Sequence, residues 1–291
     1  MTNATSSTEI MIPRQIILLT PEQQRLFDDT LLPLQPAVET LLLRVRLAED
    51  RALALRYPRY ASKPYPLGRC LEIRDAVFTG LEHLLNGKLV AQPEDLPVLK
   101  QLHGYIAQGG VCHKVWGSLR RTYFQNAIQL GTWYVDVAND TVVTTKPKIE
   151  ILPMGRSGFA NIDDYHHFAE VARIYWQVDV FANTVFPLLA PLFPLICSNE
   201  KGCWLAAGYD ELIQLTRREG FAPSETIVQQ LPPAPAAVRN WFAAIPRTDP
   251  LLLAMEGDAA AICRAARERG LMHDTDYRQA LVAAYRALPP V

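Results

Sequence analysis

Cysteine and net charge are both scarce in this chain of 291 residues, and each shortage excludes a class of protein. The five cysteines are odd in number and widely spaced, which argues against a disulfide scaffold. The formal net charge of -1 gives no general attraction to polyanions. We therefore expect no nucleic-acid partner, although Arg120 and Arg121 form a local basic pair.

Common signatures of cofactor and nucleophile sites are also missing. The chain has no phosphate-binding glycine-rich loop, no Gly-x-Ser-x-Gly elbow and no dinucleotide-binding fingerprint. No cofactor is therefore expected. What the chain does have is 49% apolar and 20% charged residues, which indicates a folded globular protein.

Two segments bear on cellular location. Residues 1–9 are polar and small, which predicts a disordered tail and not a secretory signal. Residues 180–197 are apolar enough to suggest a membrane segment, but Pro187, Pro191 and Pro194 interrupt them. Because these prolines would leave backbone groups unpaired in lipid, buried core is favoured over membrane contact. We expect a cytoplasmic protein with no membrane partner.

Hydrophobic periodicity predicts an α+β fold, mainly helical, with a small antiparallel sheet. Helices are expected over residues 21–56 (interrupted by prolines), 70–85, 94–105, 163–181 and 208–218, and as three short helices within 236–288. Strands are expected over 111–119, 123–130 and 132–137, with a further strand or extended arm within 141–152.

The proline-rich run at 231–235 is the clearest candidate linker. Together with the polar N-terminus, this linker divides the chain into three predicted parts. They are a disordered tail at 1–9, an α+β core domain at 10–231 and a helical C-terminal segment at 236–291. The oligomeric state is left open.

One arrangement of a cysteine, a helix and two strands suggests chemistry. Cys70 opens a predicted helix within the stretch LGRCLE at 67–72, and Asp136 lies on the strand GTWYVD at 131–136. This arrangement resembles the transglutaminase-like branch of the papain-like fold. The resemblance implies that Cys70 is a nucleophile and that Asp136 orients its base. The strand that carries the family's histidine contains none here, and His113, one strand earlier, is the nearest substitute.

The resemblance implies a cysteine-dependent hydrolase or acyltransferase that acts on an amide or ester of a small molecule or protein. Trp133, Asn139 and Asp140 are then candidate substrate-binding residues, although Asn-Asp-Thr is also ordinary turn chemistry. The alternative is a non-catalytic binding or scaffold protein with a degenerate transglutaminase-like core. In that case Cys70 is a buried packing residue on a core helix.

A second alternative is a metal-dependent enzyme. His166 and His167 lie four and three positions before Glu170 on a predicted helix, so one imidazole and the carboxylate could share a face and bind a metal. Only one such pair is present, whereas helical metal sites usually combine pairs from separate helices. The competing interpretation is a solvated helix start, in which Asp163 and Asp164 complement the helix dipole.

Overall fold

The computed structural model describes residues 14–60, 62–206 and 210–289, and the chain divides into two compact units. The N-terminal unit is Arg14–Asn161, and the C-terminal unit contains the residues from Ile162 onward. Helices hold 49% of the residues and strands 16%, so the predicted α+β, mainly helical class with small antiparallel sheets is confirmed. The predicted tail at 1–9 lies outside the described residues.

Local sequence sets the helix ends of the N-terminal unit. Helix α1 (Pro21–Thr30) begins after Thr20, whose hydroxyl accepts from the Gln23 backbone while the Gln23 side chain accepts from the Thr20 backbone. This reciprocal capping satisfies two otherwise unpaired donors. A 3-10 turn at Leu32–Leu34 then leads into α2 (Gln35–Arg56), so the prolines divide the predicted helical stretch as expected.

The remaining α-helices and β-strands of this unit form three helices, a short ribbon and the main sheet. They are β1 (Arg59–Tyr60), β2 (Lys63–Pro64), α3 (Cys70–Leu85), α4 (Leu96–Ala107), β3 (Cys112–Leu119), β4 (Tyr123–Leu130), β5 (Trp133–Asp136), β6 (Glu150–Pro153), α5 (Met154–Ser157) and β7 (Phe159–Ala160). The main sheet has the order β6-β5-β4-β3-β7, and every neighbouring pair is antiparallel. Where a strand or extended arm was predicted within 141–152, the structure forms only the short strand β6.

The two faces of this sheet bury different groups. One face packs against the helices, where Phe27, Leu41 and Val77 meet Ile128 and Val135 in the largest apolar cluster of the unit. We call this the helix face. The opposite face, here called the outer face, carries a smaller cluster of Val115, Ala127, Tyr134 and Phe159. Because successive strand residues alternate between faces, each residue's position along its strand decides which face it serves.

The C-terminal unit combines a three-stranded sheet with helices. Its elements are α6 (Tyr165–Tyr175), β8 (Asp179–Ala182), β9 (Leu195–Asn199), β10 (Gly202–Leu205), α7 (Asp210–Arg218), α8 (Ala222–Gln230), α9 (Ala236–Ala243), α10 (Pro250–Leu253), α11 (Ala259–Glu268) and α12 (Thr275–Arg286). The antiparallel sheet has the order β10-β9-β8. The helix predicted over 163–181 ends at Tyr175, and its last residues form β8 instead.

Residues 180–197 pass through the core of this unit as strand, 3-10 turn and strand. Phe186, Leu189, Phe193 and Ile196 are buried there against the C-terminal helices. This agrees with the expected buried core segment. Across the described ranges, we find no helix with the length and apolar character that crossing a bilayer requires.

The domain boundary differs from the prediction. It falls between Asn161 and Ile162, and the run at 231–235 lies inside the C-terminal unit. Pro232 accepts a backbone hydrogen bond from Ala182, and the Ala234 amide donates to the Thr184 hydroxyl. Since Ala234 is also buried, the run is held by the unit and does not act as a free linker.

Candidate functional site

Cys70 occupies the first position of α3, as the resemblance implies, and its thiol faces the sheet. The Asn126 side-chain amide on β4 donates from Nδ2 to the Cys70 sulfur at 3.5 Å. Asn126 lies two residues from Ile128 and therefore on the helix face. The polar partner at the thiol is thus an amide, which neither accepts nor releases a proton near neutral pH.

The same asparagine holds a buried arginine. Arg74, one helical turn after Cys70, is fully buried and donates to Asn126 Oδ1 at 3.2 Å and to the Val115 carbonyl at 3.3 Å. Its Nε also lies 2.9 Å from a carboxylate oxygen of Asp75. Asn126 therefore bridges the thiol and the guanidinium, and α3 is fixed to β3 and β4 through polar contacts as well as apolar ones.

Burial raises the pKa of the Cys70 thiol above its ordinary value. The Asn126 hydrogen bond and the charge of Arg74 oppose this rise, whereas the negative charges of Asp136 and Glu72 add to it. The start of a helix favours a thiolate, but the net shift of the Cys70 pKa is upward, with burial as its largest cause. The Cys70 sulfur is consequently a protonated thiol at neutral pH.

Asp136 projects from the outer face of the sheet. It accepts a hydrogen bond from Gln125 Nε2 at 2.6 Å, and Gln125 is the strand neighbour of Asn126, so the two side chains point to opposite faces. Tyr134 donates to the same carboxylate at 3.3 Å, and the Ala138 amide donates at 2.8 Å. The carboxylate is thus enclosed by three donors on the side of the sheet away from Cys70.

Burial raises the pKa of Asp136 to about 7. The Ala138 and Tyr134 hydrogen bonds work against this rise, while the charges of Glu150 and Asp140 add to it. Burial and the charge of Asp136 also raise the pKa of Tyr134. Asp136 therefore titrates close to neutral pH, and within the described ranges its carboxylate is bonded to Gln125, Tyr134 and the Ala138 amide and to no imidazole.

His113 also faces away from Cys70. Its Nε2 lies 3.0 Å from Gln129 Oε1, and its strand partner on β4 is Gln129. Gln129 is three positions from Asn126 and hence on the outer face. The three predicted catalytic residues are not assembled: Cys70 meets the helix face, and His113 and Asp136 occupy the outer face without contacting each other through any hydrogen bond.

Two of the three predicted substrate-binding residues serve packing or an internal ion network. Trp133 is 2% exposed and stacks edge-on against Phe27, with ring centroids 4.9 Å apart. Asn139 donates to the Pro147 carbonyl at 3.0 Å. Asp140 is buried and receives two hydrogen bonds from the Arg46 guanidinium, at 3.0 and 3.2 Å. Trp133 and Asp140 are thus buried, whereas Asn139 is half-buried and bonds within its own loop.

Asp140 belongs to a network that ties α2 to the loop after β5. Arg46 is fully buried and also binds Asp50 at 2.6 Å and the Val137 carbonyl at 2.7 Å. Lys148 lies 2.9 Å from Asp50 and 3.1 Å from Asp140, and the Tyr65 hydroxyl donates to Asp50. We call the side chains of Arg46, Asp50, Tyr65, Asp140 and Lys148 the ion cluster. Burial disfavours the charged Arg46, but its hydrogen bonds to Asp50 and Asp140 outweigh that effect and raise its pKa.

The metal prediction fails on geometry. Among the described residues, no group of three or more His, Cys, Asp or Glu side chains is arranged to hold a metal ion, and this applies to His166, His167 and Glu170. His166 contacts Gln230 instead, and the backbone of His167 donates to Asp164 Oδ1 at 2.7 Å, which caps α6. Asp164 thus satisfies the helix start, which agrees with the competing interpretation.

A groove between α3 and α4 was not predicted. It has a volume of about 260 Å³, and apolar side chains of both helices line it, among them Phe78, Leu81, Leu85 and Ile106. Its polar lining comes from Glu82, Asn86 and His103, and Cys112 lies at the start of β3. The apolar spacing at 78, 81 and 85 is visible in the sequence, but these side chains also pack in or against the core, so the spacing alone does not indicate a groove.

No family model, no curated protein and no solved structure matches this chain. The chemistry of the site is therefore argued from its own residues.

Proposed function

We propose that this protein is a non-catalytic binding or scaffold protein whose core resembles the transglutaminase-like layout but lacks the catalytic base. One observation carries the proposal: the Cys70 thiol meets the amide of Asn126, while the available imidazole and carboxylate occupy the opposite face of the sheet.

The chemistry of thiol catalysis is the physical reason. A cysteine nucleophile acts as the thiolate, which needs a lowered pKa or an adjacent base. Here burial raises the pKa of Cys70, and Asn126 cannot take its proton. The carboxylate of Asp136 is engaged by Gln125, Tyr134 and the Ala138 amide, so it has no imidazole to orient. A protein with this core would act through its surfaces and grooves.

The alkylation rate of each cysteine, resolved by mass spectrometry against pH, tests this proposal. We expect Cys70 in the native protein to react slowly at about pH 6 and to approach the rate of an ordinary thiol only on unfolding. Cys197, which is fully buried on β9, is the internal standard for a packing cysteine. Fast labelling of Cys70 at about pH 6, with Cys197 slow, would overturn the proposal.

A thiol hydrolase or acyltransferase is the second candidate, supported by the position of Cys70 at a helix start and by the guanidinium of Arg74 nearby. It predicts that Cys70→Ala abolishes turnover of an amide or ester while the melting temperature stays within about two degrees. A cytoplasmic location belongs to either proposal, because the five cysteines are all unpaired.

A further inference from the structure

We infer that the groove between α3 and α4 binds a small organic cation with an apolar body, such as a primary amine that carries an aromatic or aliphatic group. The inference rests on the proposed binding function and names the class of ligand. The groove has an apolar wall, a negative rim and a volume of about 260 Å³, which suits a small molecule more than a peptide.

The apolar wall comes from both helices. Phe78, Leu81 and Leu85 recur along one side of α3, and Ile106 faces them from the last turn of α4. Ile106 is 36% exposed, so part of this wall meets solvent in the absence of a ligand. Covering that surface supplies the driving force for an apolar body.

The charge at the rim of the groove determines which head group the ligand carries. Glu82 lines the groove, and among the described residues no ion pair with its carboxylate is formed. The carboxyl ends of α3 and α4 also meet the groove, since Leu85 and Ala107 are their last residues. The carbonyl ends of helices carry a partial negative charge that attracts cations. A carboxylate and two helix ends therefore favour a positive head group.

One cation lies beside the apolar wall. The Lys114 ammonium lies 5.7 Å from the centre of the Phe78 ring and 3.2 Å from an Asp75 carboxylate oxygen that it shares with Arg74, whereas Glu82 lies one helical turn further along α3. Cys112 adds no charge, because burial raises the pKa of its thiol to about 12. An anionic ligand would face Glu82, so we expect the groove to reject it.

The test is a chemical-shift titration of the isotope-labelled full chain with 2-phenylethylamine, and with 2-phenylethanol as the neutral comparison. We expect the amine to shift the amides of residues 81–86 and 103–107, and to bind about five- to tenfold more tightly than the alcohol. Glu82→Gln should remove this preference. Glu39→Gln, an exposed carboxylate on α2, makes the same charge change elsewhere and should preserve it.

Two results would overturn the inference. One is equal binding of amine and alcohol by the unmodified protein, and the other is amine binding at amides outside the groove or not at all. Ala107→Trp, which fills the mouth of the groove, should abolish the shifts while the rest of the spectrum is retained. None of these outcomes depends on Cys70, whose alkylation rate tests the proposed function separately.

Discussion

Cys70 meets the helix face of the N-terminal sheet through Asn126, and Asp136 projects from the outer face of the same sheet through its bond to Gln125. The two residues therefore share a sheet but not a site. Since neighbouring strand residues point in opposite directions, no rotamer change brings the carboxylate to the thiol.

A histidine in place of Asn126 should activate the thiol. An imidazole at this position would face the Cys70 sulfur and stabilise the thiolate as an ion pair. We expect Asn126→His to increase the alkylation rate of Cys70 at about pH 7 by roughly tenfold or more. The measurement is the site-resolved alkylation rate by mass spectrometry.

Asn126→Ala is the matched control for that variant. Both substitutions remove the Asn126 Oδ1 that accepts from Arg74, so any loosening of α3 is common to them. If the alanine and histidine variants label Cys70 equally fast, the increase comes from exposure of the thiol and not from the imidazole.

Asp136 should make the N-terminal unit less stable as the pH rises. Its folded pKa of about 7 lies above the ordinary value of 3.8, so its contribution to stability is present below about pH 4 and is lost as the pH rises through about 7. Asp136→Asn removes this loss and should stabilise the protein at about pH 8 by on the order of 2–4 kcal/mol relative to the native chain. Urea unfolding over a pH series measures the difference.

The control is Asp29→Asn on α1, an exposed carboxylate. Its effect on the free energy of unfolding should stay within about 0.5 kcal/mol across the same series. A gain for Asp136→Asn that is as large at about pH 4 as at about pH 8 would contradict the titration of Asp136.

Two arginines on α2 should differ sharply in their contribution to stability. Arg46→Met leaves the buried Asp140 and the partly exposed Asp50 with Lys148 as the remaining cation, and we expect a loss of about 3–5 kcal/mol. Arg44→Met breaks ion pairs to Glu94 and Asp95, but Arg44 is 37% exposed, so the loss should be about 1 kcal/mol or less. Chemical denaturation of both variants measures the two losses in the free energy of unfolding. Equal losses would show that the ion cluster does not account for the effect of Arg46→Met.

Gly131 should not tolerate a side chain. It turns the chain between β4 and β5 at φ +58, and an added Cβ would lie 1.9 Å from a ring carbon of Phe27. We expect Gly131→Ala to destabilise the N-terminal unit by about 3 kcal/mol or more. Gly104→Ala on α4 meets no atom within 4 Å and should stabilise by up to about 1 kcal/mol. Melting temperatures of the two variants should move in opposite directions.

Local signals predicted much of the N-terminal unit. The start of α1 at Pro21, the start of α3 at Cys70 and the span of β4 from Tyr123 to Leu130 all agree with the sequence interpretation. Each depends on residues within a few positions of each other. The C-terminal unit was harder, because the apolar period of α6 continues into β8, and the end of the helix at Tyr175 depends on pairing of β8 with β9.

In the candidate site too, the sequence predicted which elements carry the residues but not how their side chains are arranged. Sequence placed Cys70 at a helix start and Asp136 on a strand, and both positions are found. Sequence could not give the face from which each side chain projects, since that follows from strand register. It also could not pair Arg46 with Asp140, which are 94 positions apart.

By itself, the amino-acid sequence determined the fold class, the main helices and strands of the N-terminal unit, and the absence of common cofactor motifs. These follow from composition, periodicity and caps, which act over short stretches of chain. Only the tertiary structure decided that Cys70 and Asp136 are separated by a sheet, that Asp140 belongs to an ion cluster, and that α3 and α4 leave a groove. Such relationships depend on long-range packing; a shift of one residue in strand register, for example, would move Asp136 to the helix face.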